Sequence, residues 1–161
     1  MIGEWLVALE ATAVTGALRG SVWAYPLVNA LHILGVALLV GAILPLDLRL
    51  LGVWRSVPLA PLWRVLTRTA GAGLGLAMAC GTLLFITRAS EYAASGLFIS
   101  KMVMVGIGTV NAVALRTLGP DAIAPMRSAP EKPPLPVRLA GGISLAAWLT
   151  ALMLGRLVGY F

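Results

Sequence analysis

The chain is poor in the residues that build most metal centres and catalytic pairs: its 161 residues include one cysteine, one histidine and six acidic residues. The lone Cys80 excludes an intrachain disulfide. One histidine without a cysteine pair cannot supply a zinc cage, which takes at least three protein ligands. A phosphate-binding loop is also not indicated, because Gly71 and Gly75 lie inside an apolar run that follows no strand pattern. We therefore expect a protein that is not an enzyme.

Charged residues are scarce as well, at 11% of the chain against 60% hydrophobic residues, and the mean hydropathy is +0.95. So little polar surface cannot cover a soluble globule of this size, and the lipid bilayer is the expected solvent. The net charge is +6, but the twelve Lys and Arg residues stand singly between apolar runs and form no basic stripe with interleaved aromatics. Nucleic acid is therefore not an expected partner.

Four apolar runs are long enough to cross about 30 Å of hydrocarbon, which requires roughly 20 helical residues. They cover residues 23–45, 65–87, 97–118 and 139–159. The amphipathic stretch 4–19 is too short and too charged to span, and is expected to lie at the membrane interface. The predicted fold is all-α: an integral membrane four-helix bundle, preceded by a short N-terminal interfacial helix, in a single transmembrane domain covering 1–161.

The positive charges predict the orientation of this bundle. Eight of the twelve fall in or directly beside the connections after the first and third runs: Arg49, Arg55, Arg64, Arg68, Arg116, Arg127, Lys132 and Arg138. Because cytoplasmic loops carry an excess of Lys and Arg, both termini are predicted to be periplasmic, in a bacterial inner membrane. The second connection, 119–138, holds six of the ten prolines, which favours an extended cytoplasmic loop.

Small residues predict how the helices pack, since they let backbones approach closely in lipid. The second run carries Gly71, Gly75 and Ala79 at four-residue spacing, with a parallel stripe of Gly73, Ala77 and Gly81 beside it. We expect these small residues to pack within the chain, and contact with a second copy is the alternative.

Ionisable groups inside a membrane cost about 2.5 to 3.5 kcal/mol at a helix centre, so each one requires an explanation. The predicted topology gathers polar side chains in the periplasmic half of the bundle, and the candidate ligand-binding residues are Asn29, His32, Glu91, Lys101 and Arg156. His32 is the candidate metal ligand. The alternative is that Lys101 and Arg156 extend to the interface and that His32 forms a hydrogen bond to a neighbouring helix.

Three further polar residues have a structural interpretation. Asp47 and Arg49 lie at the cytoplasmic boundary, where an ion pair with Arg64 or Arg68 is expected. Asn111, inside the third run, is expected to form an interhelical hydrogen bond.

Two sequence elements carry a resemblance to a known family. Pro26 and His32 give a Pro-x5-His pattern, and residues 47–52 read Asp-Leu-Arg-Leu-Leu-Gly. Together they resemble a family of small bacterial inner-membrane proteins of unknown function, which implies four transmembrane helices but no activity. In that family the position of Asn29 is often a glutamate, so asparagine here weakens a carboxylate-assisted role. The shape is also similar to that of four-helix copper-resistance membrane proteins and haem-binding b-type cytochromes, which makes copper and haem b the candidate cofactors.

Three functions are compatible with these features. The leading hypothesis is a periplasm-facing site, centred on His32 and Lys101, that binds or passes a small ligand or a metal ion such as copper. The second is an electron-transfer or accessory subunit that binds haem b or quinone in a larger membrane complex. The third is a structural membrane subunit whose polar side chains only fix the helix register. The expected partners are the lipid bilayer and either a second copy or a larger membrane complex.

Overall fold

The computed structural model describes residues 2–118 and 133–160, and in these ranges the secondary structure is helical. The helices are α1 (Ile2–Glu10), α2 (Ala13–Gly20), α3 (Ala24–Leu51), α4 (Leu59–Thr87), α5 (Ala89–Ala94), α6 (Gly96–Leu118) and α7 (Leu135–Leu157). By length and composition α3, α4, α6 and α7 could each cross a membrane. The all-α bundle with a short N-terminal helix is therefore confirmed, and the four apolar helices support a multi-pass membrane protein.

The close helix pairs are α3 with α4, α3 with α7, and α6 with α7. Two apolar clusters fill the space between these helices. The basal cluster comprises Leu46, Leu50, Leu59 and Val137, and the central cluster comprises Leu39, Ile43 and Trp148. We call the end where α3 begins and α4 ends the His32 end, and the opposite end the Asp47 end.

The helices extend further at the Asp47 end than the apolar runs predict. The first predicted span stops at residue 45, whereas α3 continues through Pro45 to Leu51. A proline removes one backbone donor, and neighbouring helices can compensate for that loss in a membrane helix. The basal cluster continues the packing past Pro45. Gly52 then ends the helix in the left-handed conformation, with φ 102° and its N–H bonded to the carbonyl of Arg49.

The basal cluster also explains the early starts of α4 and α7. Leu59 and Val137 are 0% and 1% exposed, so the first turns of these helices are held by packing. The predicted spans began at 65 and 139 because arginines and prolines interrupt the apolar pattern before those positions. Residues 119–132 of the predicted cytoplasmic loop lie outside the described residues, and residues 135–138 belong to α7.

The predicted single interfacial helix over 4–19 is two helices. Thr12 interrupts it with an extended backbone, and its hydroxyl oxygen caps α2 by accepting from the Thr15 N–H. The two helices then differ in burial. Trp5 of α1 is 74% exposed, whereas Thr15 of α2 is fully buried beside the end of α4, where its hydroxyl donates to the carbonyl of Ile86.

Small residues do pack α4 within the chain, but on the second of the two stripes. A Cβ on Gly73 would lie 2.6 Å from the backbone nitrogen of Leu39 on α3, whereas Gly71 and Gly75 have nothing within 4 Å of such an atom. Two positions along a helix correspond to a rotation of about 200°, so the two stripes lie on nearly opposite faces. Their compositions are almost identical, so the sequence pattern alone does not select the contact face.

Candidate functional site

His32 is held between two helices near the His32 end. Its Nδ1 atom lies 2.8 Å from the carbonyl oxygen of Ala77 on α4. A carbonyl can only accept a hydrogen bond, so Nδ1 carries the proton in this arrangement. In the neutral ring, Nε2 then presents a lone pair, the form in which imidazole binds a hydrogen-bond donor or a metal.

Glycines make room for this ring. A Cβ on Gly81 of α4 would lie 3.1 Å from Cε1 of His32. Gly35, one turn along α3, brings the same two backbones close together, because a Cβ there would lie 2.6 Å from the nitrogen of Ala77. The small residues of α3 and α4 therefore set the distance across which Nδ1 reaches the Ala77 carbonyl.

Lys101 of α6 is the second polar group at this place. Its stem packs on Gly155 of α7, where a Cβ would lie 3.6 Å from Cδ of the lysine. Its ammonium lies 5.4 Å from the centre of the Phe98 ring, and its charge is near enough to act on the His32 imidazole. Within residues 2–118 and 133–160, Lys101 forms no ion pair with a carboxylate. The half-buried ammonium is thus accompanied by an aromatic face and a histidine.

The other three candidate residues, Asn29, Glu91 and Arg156, lie in separate local environments. Asn29 is exposed on α3, although it lies one turn from His32. Glu91 pairs with Arg88 at 3.2 Å. The Arg156 guanidinium lies 4.7 Å from the ring centre of Tyr160 and donates to its hydroxyl. The structure therefore brings His32 and Lys101 together and gives Glu91 and Arg156 local partners.

Three aromatic rings pack against one another beside Lys101. The ring centres of Phe85, Tyr92 and Phe98 lie 5.3 to 6.2 Å apart, which joins α4, α5 and α6. Burial raises the pKa of the Tyr92 phenol, which keeps it a neutral group. The sequence pattern does not predict this contact of Tyr92, because α5 reverses the chain between the other two rings and no helical periodicity connects them.

The carboxylate of Glu10 in α1 has partners of its own, and Lys101 is not among them. Its carboxylate accepts from the backbone N–H and the hydroxyl of Ser90, at 2.8 and 2.6 Å, and it lies 3.8 Å from Arg19. These bonds attach the end of α1 to the start of α5.

A second polar group lies at the Asp47 end. Asp47 is only 3% exposed, and the side chain of Ser144 on α7 is the polar group near it. The predicted ion pair with Arg64 or Arg68 is not formed within the described ranges. Asp47 instead faces the interior between α3 and α7.

The side chains of Arg49 and Asn111 both donate hydrogen bonds to backbone carbonyls. The Arg49 guanidinium donates to the carbonyls of Val57 and Arg55, at 2.9 and 3.3 Å, and so fastens the connection between α3 and α4. The Asn111 amide donates to the carbonyl of Ala140 at 2.9 Å, which is an interhelical hydrogen bond between α6 and α7.

Among the described residues, no group of three or more His, Cys, Asp or Glu side chains could hold a metal ion. Two shallow surface depressions, one on α1 and one where α7 meets the end of α3, lie away from His32 and Lys101.

Comparison of the chain with protein-family models, with curated proteins and with solved structures found no match. The resemblance described above therefore depends on the Pro-x5-His and Asp-Leu-Arg-Leu-Leu-Gly elements themselves.

Proposed function

We propose that this chain is a non-enzymatic protein of a bacterial inner membrane, with both termini in the periplasm, that binds a small anionic ligand between His32 and Lys101. The observation that carries the proposal is a half-buried ammonium with no carboxylate partner among the described residues, beside an imidazole whose Nδ1 is already bonded. An anionic group pairs with Lys101, and a hydroxyl or protonated acid group on the same ligand donates to Nε2 of His32.

The same arrangement favours an anion over a metal cation such as copper. A cation on Nε2 of His32 would be repelled by the neighbouring ammonium, and this repulsion is strong where little water screens it. The described residues also supply no group of three or more His, Cys, Asp or Glu side chains that could hold a metal ion. A copper ion at His32 would need a further ligand, either a methionine sulfur or a residue from a second copy of the chain.

The second candidate is an electron-transfer or accessory subunit that binds haem b or quinone. It is favoured by the bond from Nδ1 of His32 to the Ala77 carbonyl, because ligating histidines usually donate their other ring N–H to a carbonyl or carboxylate. A haem iron would take Nε2 of His32, with a methionine or a second copy's histidine as the other axial ligand. In the third candidate, a purely structural subunit, the site binds nothing.

The test is thermal unfolding of the detergent-purified chain with sodium phosphate, sodium acetate or sodium chloride at equal ionic strength. A ligand at a hundred times its Kd stabilises the folded state by about 2.7 kcal/mol. We expect phosphate, which carries both a negative charge and a hydroxyl, to raise the Tm of the wild type and of Arg116→Met, an exposed cation on the same helix. Ionised acetate has no hydroxyl to donate to Nε2 of His32 and is expected to raise it less. We expect no such rise in Lys101→Met, which keeps the apolar stem, or in His32→Ala.

Retention of the full Tm shift in Lys101→Met would contradict the anion site. An absorption spectrum of the same preparation, oxidised and reduced, separates the alternatives. A Soret band that depends on His32 supports the haem reading. A featureless spectrum together with no anion effect supports the structural subunit.

A further inference from the structure

The carboxylate of Asp47 is buried by protein rather than by lipid. It lies one turn before the end of α3 and is 3% exposed with only the chain's own atoms around it. One of its oxygens, Oδ2, has no hydrogen-bond partner among the described residues. A buried carboxylate oxygen without a donor is unfavourable when the group is ionised, and much less so when the group is protonated.

No cation compensates Asp47 within the described ranges. The charged residues at the Asp47 end of the helices packed around it are Arg49 on α3, Arg64 and Arg68 on α4, Arg116 on α6 and Arg138 on α7. The guanidinium of Arg49 donates to loop carbonyls, and Arg64, Arg68 and Arg116 are exposed. None of the five forms an ion pair with Asp47, and its polar contact is the Ser144 side chain.

A buried donor without a partner lies on the facing helix. Trp148, one turn beyond Ser144 on α7, is 4% exposed, and its Nε1 has no hydrogen-bond acceptor among the described residues. The indole is fixed against α6, because a Cβ on Gly108 would lie 2.6 Å from its Cε2 atom and 2.9 Å from Nε1, so the N–H lies beside α6. Ile43, one turn before Asp47, packs in the central cluster with the same indole. Residues one turn apart share a helix face, so Ser144 and Trp148 both lie on the side of α7 that meets α3.

We propose that Asp47 is an exchangeable proton-binding site inside the bundle. One proton binds to the carboxylate and neutralises it: an O–H bond forms on Asp47, and one O–H bond breaks on a hydronium ion, which becomes water. Ser144 is a positioning residue, since its O–H group is the donor available to the ionised carboxylate after the proton leaves. A sodium ion fits less well, because it requires several oxygen ligands and Ser144 is the one side-chain oxygen shown at Asp47. This site is separate from His32 and does not depend on what binds there.

The proposal is tested by infrared spectroscopy of the purified chain in lipid vesicles, titrated with acid and base. We expect the carbonyl band of a protonated carboxylic acid at neutral pH, lost in Asp47→Asn and retained in Glu10→Gln. We expect Ser144→Ala, which removes the hydroxyl donor, to move the midpoint of this band to higher pH. A band lost in Glu10→Gln and kept in Asp47→Asn would overturn the proposal, as would a band that appears only when sodium is removed.

A second measurement uses the wild type alone, so it tests the proposal even if Asp47→Asn misfolds. A hydrophobic carbodiimide modifies protonated carboxyl groups inside membranes, and mass spectrometry locates the modified residue. We expect modification of Asp47 at neutral pH, reduced at alkaline pH and unaffected by sodium chloride. Absence of modification at Asp47 across the pH range, or protection by sodium, would refute the proton site.

Discussion

Gly35 of α3 and Gly73 of α4 face each other at the closest approach of the two helices. A Cβ on Gly35 would lie 2.9 Å from the carbonyl oxygen of Gly73, and a Cβ on Gly73 would lie 2.7 Å from the carbonyl oxygen of Gly35. The obstacles are backbone atoms, which cannot rotate away as the end of a side chain can. This contact lies one turn from His32 and therefore fixes the distance across which that histidine reaches α4.

Alanine at either glycine is expected to destabilise the bundle. Gly→Ala inside a helix ordinarily favours the helix by up to about 1 kcal/mol, but overpacking costs about 1 to 3 kcal/mol. We expect Gly35→Ala and Gly73→Ala to lower the Tm in detergent, measured by circular dichroism. Gly71→Ala and Gly75→Ala, which have open space around the new atom, are matched controls expected to leave the Tm unchanged or raise it. Equal effects in all four variants would contradict the packing described here.

The bond from His32 to Ala77 predicts one imidazole tautomer. Because the chain has a single histidine, ¹⁵N-histidine labelling gives an unambiguous nuclear magnetic resonance signal. We expect the spectrum of the neutral ring to show Nδ1 protonated and Nε2 unprotonated. Gly73→Ala, which forces α3 and α4 apart, is expected to give a mixture of tautomers. A neutral ring protonated at Nε2 in the wild type would show that Nδ1 does not donate to the Ala77 carbonyl.

The attachment of α1 to α5 is expected to weaken in acid. The hydroxyl and then the backbone N–H of Ser90 donate to Glu10, and with a smaller contribution from Arg19 they hold the pKa of Glu10 below its ordinary 4.5. A lowered folded-state pKa means that the stabilisation is fully present above 4.5 and is lost as the pH falls through the lower value. The Ser90 amide proton resonance reports this titration directly, and we expect its midpoint below 4.5.

Ser90→Ala is the matched variant for this titration, because it removes the hydroxyl donor and keeps the amide reporter. We expect its midpoint to rise towards 4.5 without reaching it. A wild-type midpoint at or above 4.5 would mean that Glu10 is not held by Ser90 in solution.

The sequence predicts the number and class of the helices well because hydrophobic length is a local property of the chain. It predicts their ends less well. The turn after Pro45 and the first turn of α4 are helical because Leu46, Leu50 and Leu59 pack together in the basal cluster, and that contact joins distant parts of the sequence. The break at Thr12 was also missed, since an amphipathic pattern continues across it.

The sequence indicates which residues belong to the candidate site, but not how their side chains are arranged. His32 and Lys101 stand out as polar residues in apolar runs, and the topology places them at the same end. Their surroundings depend on backbone positions, such as the Ala77 carbonyl and the space at Gly81, which carry no signal in a single sequence. The inward direction of Asp47 was missed for a related reason. An aspartate near a helix end gives the same sequence pattern whether its carboxylate faces Ser144 inside the bundle or an arginine at the surface.

The predicted orientation is tested with thiol labelling in a Cys80→Ala background, which removes the one native cysteine. Ser21 and Ser56 are exposed serines in the connections before and after α3, at opposite ends of the bundle. We expect Ser21→Cys to react with an impermeant maleimide in intact spheroplasts, because the charge distribution predicts that this end lies in the periplasm. Ser56→Cys is expected to react only after the membrane is opened, as is Ser128→Cys, whose position lies outside the described residues. The reverse pattern would put His32 and Lys101 on the cytoplasmic side, so the proposed ligand would then have to be a cytoplasmic anion.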